Sequence, residues 1–198
     1  MTAELMALAL QVSEGDISSG YSELEDCVEV EGPAPVNERR RGYGGWVVSV
    51  GAREHSAGVA YSDRARAEQL AQRPIAEGAS QDVSRTIEWR VRRVDAAWRP
   101  FATIHRWYAL VPDESAPAGA DGPALRRASE LLVVSVLRED GPIGACHAAY
   151  LDVQEIYDVN TVARRFADRM ADEFRCGIDT PYAIGAGQAA LLMERGRL

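Results

Sequence analysis

The sequence predicts an α+β domain: a mainly antiparallel sheet of about five or six strands covered by two or three helices. Three observations predict it. Short β-branched and aromatic runs recur along the chain, bounded by Gly, Pro and Asp turns. Few segments carry the 3.6-residue apolar period of a helix, and those within the domain lie between or after the strand runs. No internal repeat is visible, and 198 residues suit one sizeable domain rather than a solenoid.

Residues 1–44 read as an acidic leader and linker, partly disordered, and residues 45–198 as a single compact domain. After Thr2, the spacing of Leu5, Met6, Leu8, Ala9 and Val12 gives a short helix with a threonine cap. Residues 13–38 are rich in Ser, Gly, Pro and acids, with one alternating stretch over 27–31 suited to an edge strand. Gly32-Pro33-Ala34-Pro35 then breaks the chain. Inside the domain, residues 46–51 (WVVSVG) favour a strand, with 58–61 as its hairpin partner. Ser62 caps a helix that runs to Arg73 and is stopped by Pro74. Residues 86–94 alternate, Ile87, Trp89 and Val91 on one side and Glu88, Arg90 and Arg92 on the other. Asp95-Ala96-Ala97 turns this run into a second strand, 98–111, and the Pro-rich stretch 112–123 is a loop. Residues 130–138 (ELLVVSVLR) form a buried strand, turned by Glu139-Asp140-Gly141-Pro142 into 143–151. Asn160 caps the clearest helix, which runs to about Phe174. Its apolar stripe is Val162, Ala163, Phe166, Ala167, Met170 and Phe174, with Arg164–Asp168 and Arg169–Glu173 as i,i+4 pairs on a solvated side. Residues 185–195 suit a last short helix.

Composition excludes several chemistries. All 22 basic residues are arginine. Without lysine no internal Schiff base forms, a Walker A loop lacks its phosphate-binding group, and a protein-kinase core lacks its strand lysine. Arginine stays charged and cannot replace lysine in proton transfer. Three cysteines are too few for a disulfide framework. The N-terminus lacks a basic, cleavable secretory segment, and no apolar run is long enough for a membrane span. The expectation is a cytoplasmic protein that does not engage a membrane. Its oligomeric state is not specified by these features. Charge is uneven: residues 1–38 hold nine acids and no arginine, residues 39–110 thirteen arginines against seven acids, and residues 111–198 nine against fourteen.

The basic middle third supplies the strongest functional signal. Residues 85–108 interleave six arginines with Trp89, Trp98, Phe101, Trp107 and Tyr108. A ribbon with arginines on one face and aromatic rings beside them is the composition of protein-binding hot spots, and also suits phosphate contact and base stacking. The candidate binding residues are Arg90, Arg92, Arg93, Trp98 and Trp107. A net charge of −8 favours a protein partner over nucleic acid. The function expected is therefore that of a non-enzymatic accessory or regulatory protein that binds a macromolecular partner through this hairpin face.

The alternative is a small hydrolase or transferase whose nucleophile is Cys146 or an N-terminal Thr2, served by a remote His105 or His55. Cys146 and His147 are adjacent, but consecutive strand residues point to opposite faces and cannot form a dyad. The three histidines show no metal-ligand spacing, so no metal is expected. Gly185-Ala186-Gly187-Gln188-Ala189-Ala190 spells a dinucleotide fingerprint, yet no βαβ unit follows it, and no cofactor is expected.

The stretch Pro181-Tyr182-Ala183-Ile184-Gly185-Ala186-Gly187 resembles the strand-to-helix turn of N-terminal-nucleophile peptidases of the proteasome type. The resemblance implies Thr2 as nucleophile after removal of Met1. The family's lysine partner is absent, and Thr2 leads into a helical pattern rather than a strand, so no family is assigned.

Overall fold

The computed structural model describes residues 16–24, 37–53, 56–63, 81–115, 124–139 and 144–185. In chain order these form β1 (Ile17–Glu23), β2 (Asn37–Arg41), β3 (Trp46–Arg53), β4 (Ser56–Asp63), β5 (Gln81–Val94), β6 (Ala97–Pro112), β7 (Leu125–Leu137), β8 (Ala145–Asp152), α1 (Val159–Met170) and β9 (Tyr182–Ile184). The long β5–β6 hairpin is the spine. Its turn holds Asp95 at φ 49° and Ala96 at φ 65°. Two positive φ values in succession are what a two-residue type I′ turn needs, and that turn matches the twist of the flanking strands.

Six strands lie in the order β1-β5-β6-β7-β8-β9, antiparallel except for the β8–β9 pair. The other three, β2-β3-β4, form an antiparallel meander. One parallel residue pair, Ser56 with Gln81, joins the meander to the larger sheet.

The meander covers one face of the six-stranded sheet and α1 covers the other, which gives two cores. On the meander side, Trp46, Val48, Val59 and Tyr61 pack on Ile87, Trp89, Val91, Trp107 and Val133. On the helix side, Ala163, Ala167 and Ala171 pack with Ile104, Leu132, Val134, Val136 and Leu151. Alternation assigns the strand residues to these faces, and Ile87, Trp89 and Val91 go inward as the pattern predicts. Alanines at the contact let α1 approach the sheet closely. Gly20 serves a similar close approach, because a Cβ there would lie 2.5 Å from the Tyr43 ring.

The architecture is mainly sheet, with nine strands and one α-helix among the described residues, where five or six strands and two or three helices are predicted. Segments 1–12, 27–31 and 185–195, and the predicted helix beyond Asp63, lie outside the described residues, Gly185 excepted. Ser62 itself is buried in β4 rather than capping a helix. Within the stretch predicted as leader and linker, residues 17–23 and 37–41 are strands of the two sheets.

The helix also departs from its predicted limits. It begins at Val159, after Asp158 in the left-handed region, so Asn160 lies inside it. It stops at Met170, and Arg138, one residue past β7, reaches the chain beyond it. The Arg138 guanidinium donates to the carbonyls of Ala171 (2.7 Å) and Phe174 (2.5 Å). A cation at a helix C-terminus satisfies free carbonyls and opposes the dipole.

Phe166 is only partly buried, its ring edge-on to half-exposed Tyr182 at 5.4 Å. Phe166→Ala is therefore expected to cost about 1–2 kcal/mol rather than the 3–5 of a fully enclosed phenylalanine. A urea titration of the variant checks it, and a loss above about 3 kcal/mol would mean that the ring is enclosed.

Candidate functional site: the β5–β6 hairpin

The outer face of β5 does not meet solvent where the sequence predicts. Glu88, Arg90 and Arg92 project from it toward α1 and meet the helix charges there. Arg90 donates from Nε and Nη2 to the two carboxylate oxygens of Asp168, both at 2.8 Å, and from Nη1 to Ser19 Oγ at 2.5 Å. Arg164 grips Glu88 from Nε (2.7 Å) and Nη2 (3.1 Å), and Ser19 Oγ donates to the same carboxylate at 2.5 Å. The Arg164 guanidinium is held above its usual range chiefly by this bond to Glu88.

The predicted i,i+4 pair of Arg164 with Asp168 therefore does not form. Each takes a partner on β5, where a forked, partly desolvated contact is stronger than a solvated helix pair. Arg90 is 7% exposed and Glu88 8%. Arg90 is thus a buried clamp between sheet and helix, not a solvent-facing contact. Arg92 bonds Asp172 at 2.7 Å and lies 4.2 Å over the Phe101 ring, half-buried. Trp107 is a core residue, 2% exposed.

The hairpin end differs. The pairing of β5 with β1 starts at Arg92, and the pairing of β6 with β7 stops at Ala102. Residues 93–99 thus extend past both described neighbours. Arg93 stands directly opposite Trp98 in register. Trp98 is 41% exposed, and Arg93 is exposed with no ion pair among the described residues. Arg99, also exposed, comes within 3.8 Å of Glu139. Arg93 and Trp98 are the predicted binding residues that the structure brings together at the surface.

The alternative nucleophile and base are not brought together. Cys146 forms a disulfide with Cys176, so it carries no free thiol. It faces the helix-side core, whereas His105 faces the meander. The expectation of Cys146 as a candidate nucleophile, which needs a free thiol, is corrected here. Its partner lies beyond α1, and three cysteines 27, 146 and 176 suggest no pairing by spacing. His55 and Thr2 lie outside the described residues.

His105 is enclosed, with both nitrogens occupied. Nε2 faces the Ser84 carbonyl at 2.8 Å, which only accepts, so Nε2 bears the proton. Nδ1 then accepts from the Tyr61 hydroxyl at 3.0 Å. Burial holds His105 down at about 4 and His147 at about 3, the latter also through the charge of His105. His147 Nδ1 bonds Tyr150 Oη at 2.8 Å, and burial pushes that phenol up to about 12. Strand alternation places these rings on one face, but their cross-sheet partner comes from β4, which the sequence does not reveal.

Among the described residues no three His, Cys, Asp or Glu side chains form a metal-binding group. No described helix is long and apolar enough to cross a membrane. No protein family, curated protein or solved structure matches this chain.

Proposed function

We propose that the chain is a non-enzymatic binding protein that docks a protein partner through the end of the β5–β6 hairpin. The observation that carries the reading is the exposed Trp98 facing an exposed Arg93, which has no ion pair among the described residues, on strands anchored in the core. Tryptophan and arginine are the residues that dominate binding hot spots, and a rigid hairpin presents them at little entropic cost. Two arginines beside Asp95 and Glu139 make the end nearly balanced in charge, which favours protein over nucleic acid. Of the residues predicted from sequence, Arg93 and Trp98 bear the contact, while Arg90, Arg92 and Trp107 support the hairpin from within. The Cys146–Cys176 bond supports placing the protein in an oxidising compartment rather than the cytoplasm.

Capturing partners on immobilised parent and on the Trp98→Ala, Arg93→Glu double variant tests the docking surface. Hot-spot losses of at least about 2 kcal/mol correspond to roughly 30-fold weaker binding. The thermal midpoint should stay within a few degrees, since neither side chain is in a core. A partner held equally by the folded variant overturns the reading. A steep linear fall of log affinity with log salt would assign the surface to nucleic acid instead.

A further inference from the structure

The six-stranded sheet has two apolar faces, and only one depends on the meander. Its helix-side core, with α1 and the Cys146–Cys176 bond, is assembled without β2, β3 or β4. Among the described residues, the meander's strand pairing with the larger sheet is Ser56–Gln81, and it packs over the other face. At the centre of that packing stand two histidines. His105 and His147 flank the Trp107 ring edge-on, at 6.3 and 5.4 Å between centroids, and Tyr61 of β4 reaches across to His105.

We propose that the meander is an acid-released flap: protonation of His105 and His147 detaches β2–β4 from the central sheet while the helix-side half stays folded.

A second proton on either ring would meet only a neutral phenol oxygen, Tyr61 or Tyr150, which must first turn from donor to acceptor and does not offset the new charge. His105 Nδ1 already accepts from Tyr61, so protonating it turns an acceptor that faces a donor into a second donor. His147 lies against Trp107 and Tyr150, and its Nε2 is buried without a partner. Few of the titratable and charged groups on the elements around the pair face it. The meander brings Tyr61, with Asp63 at the end of β4 and Arg40 on β2. Strand β8 brings Tyr150, and Asp152 accepts the Gln154 amide at 2.9 Å. On β5, Glu88, Arg90 and Arg92 face α1 on the opposite side, while Arg85 and Arg93 are exposed. On β1, Glu23 bonds Thr86 and Tyr21 contacts Arg164. On β7, Glu130 pairs with Arg106 and Arg127 with Asp82. No carboxylate is bonded to either ring among the described residues. Two protonated rings would also repel across Trp107.

The sign follows from proton linkage. Burial lowers both rings, to about 4 and about 3, while a ring exposed by opening titrates near 6.5. Between those limits the open form binds more protons, so opening becomes more favourable as pH falls below 6.5. Each ring contributes up to tenfold per pH unit, and the two together about several hundred-fold between pH 7 and 5.

Hydrogen exchange of the full chain at pH 7 and pH 5, corrected for intrinsic chemical rates, reads this directly. Peptides from residues 37–63 should lose protection by several hundred-fold, while those from 125–137 and 159–170 keep theirs. Tryptophan emission should shift to the red over the same range, because Trp46 on the flap and Trp89 and Trp107 beneath it, three of the four tryptophans, share the core that opens. H105Q with H147Q should flatten the pH response of residues 37–63. Equal loss of protection in both halves, or none, overturns the proposal. So does a resonance assigned to His105 or His147 in the parent that titrates near pH 6.5 while residues 37–63 remain protected, a result that needs no variant to fold.

Discussion

Replacing Arg90 by glutamate is expected to cost at least about 3–5 kcal/mol, a large fraction of the stability of a domain this size. The side chain is 9% exposed and holds both oxygens of Asp168, itself 26% exposed. Glu88 lies 3.9 Å away. Glutamate at position 90 would face the Asp168 carboxylate with its cation removed, beside a Glu88 then held by Arg164 and Ser19, and Ser19 would lose its donor. A buried charge left unpaired costs more than the pair contributes, because its desolvation is no longer offset. Exchanging both members for apolar residues, Arg90→Met with Asp168→Leu, should therefore cost much less than either charge removal alone. Urea titrations of the three proteins separate these terms. An Arg90→Glu protein as stable as the parent would show that the clamp is solvated.

Alternation over residues 86–94 made one half of this legible. The apolar set Ile87, Trp89 and Val91 had to share a face, and it faces a core. The polar set Glu88, Arg90 and Arg92 had to share the other, and it does. What the pattern left open is what covers that second face. Solvent is the default for charged residues, but α1 and the turn just after it carry the complementary charges Arg164, Asp168 and Asp172 at the matching spacing. The same charges read along the helix alone give i,i+4 pairs, and only the tertiary contact shows that the partners lie across the interface. The hairpin end was read more completely, since residues 95 and 96 carry a turn and Trp98 follows it at once. The histidine pair was not legible, because no local spacing links positions 61, 105 and 147. Their meeting depends on a meander folding over the sheet, a long-range event with no periodic signature. The same holds for Cys146 and Cys176, which α1 separates in sequence and returns to one place.

Reducing the Cys146–Cys176 bond is expected to lower stability by about 3–4 kcal/mol. The bond closes a loop with a sequence separation of 30, and the chain-entropy relation gives that range for such a loop. The loop encloses nearly all of β8, all of α1 and the turn that follows it. Cys146 projects from β8 on the helix side, and Cys176 sits where the chain leaves α1 to return as β9. The bond thus fixes the return path, and β9 adds only the pairs Ala149–Tyr182, Tyr150–Ala183 and Leu151–Ile184. With so short a ladder, β9 should lose exchange protection first when the bond is cut, ahead of α1. Cys176→Ser should reproduce the loss, and adding reductant to that variant should change nothing more. Maleimide labelling of the denatured protein taken directly from cells reads the redox state there. At most one label before reduction and three after fits the bonded form and an oxidising compartment. Three labels without reductant would place the working protein in the dithiol state and remove the bond from any account of its stability.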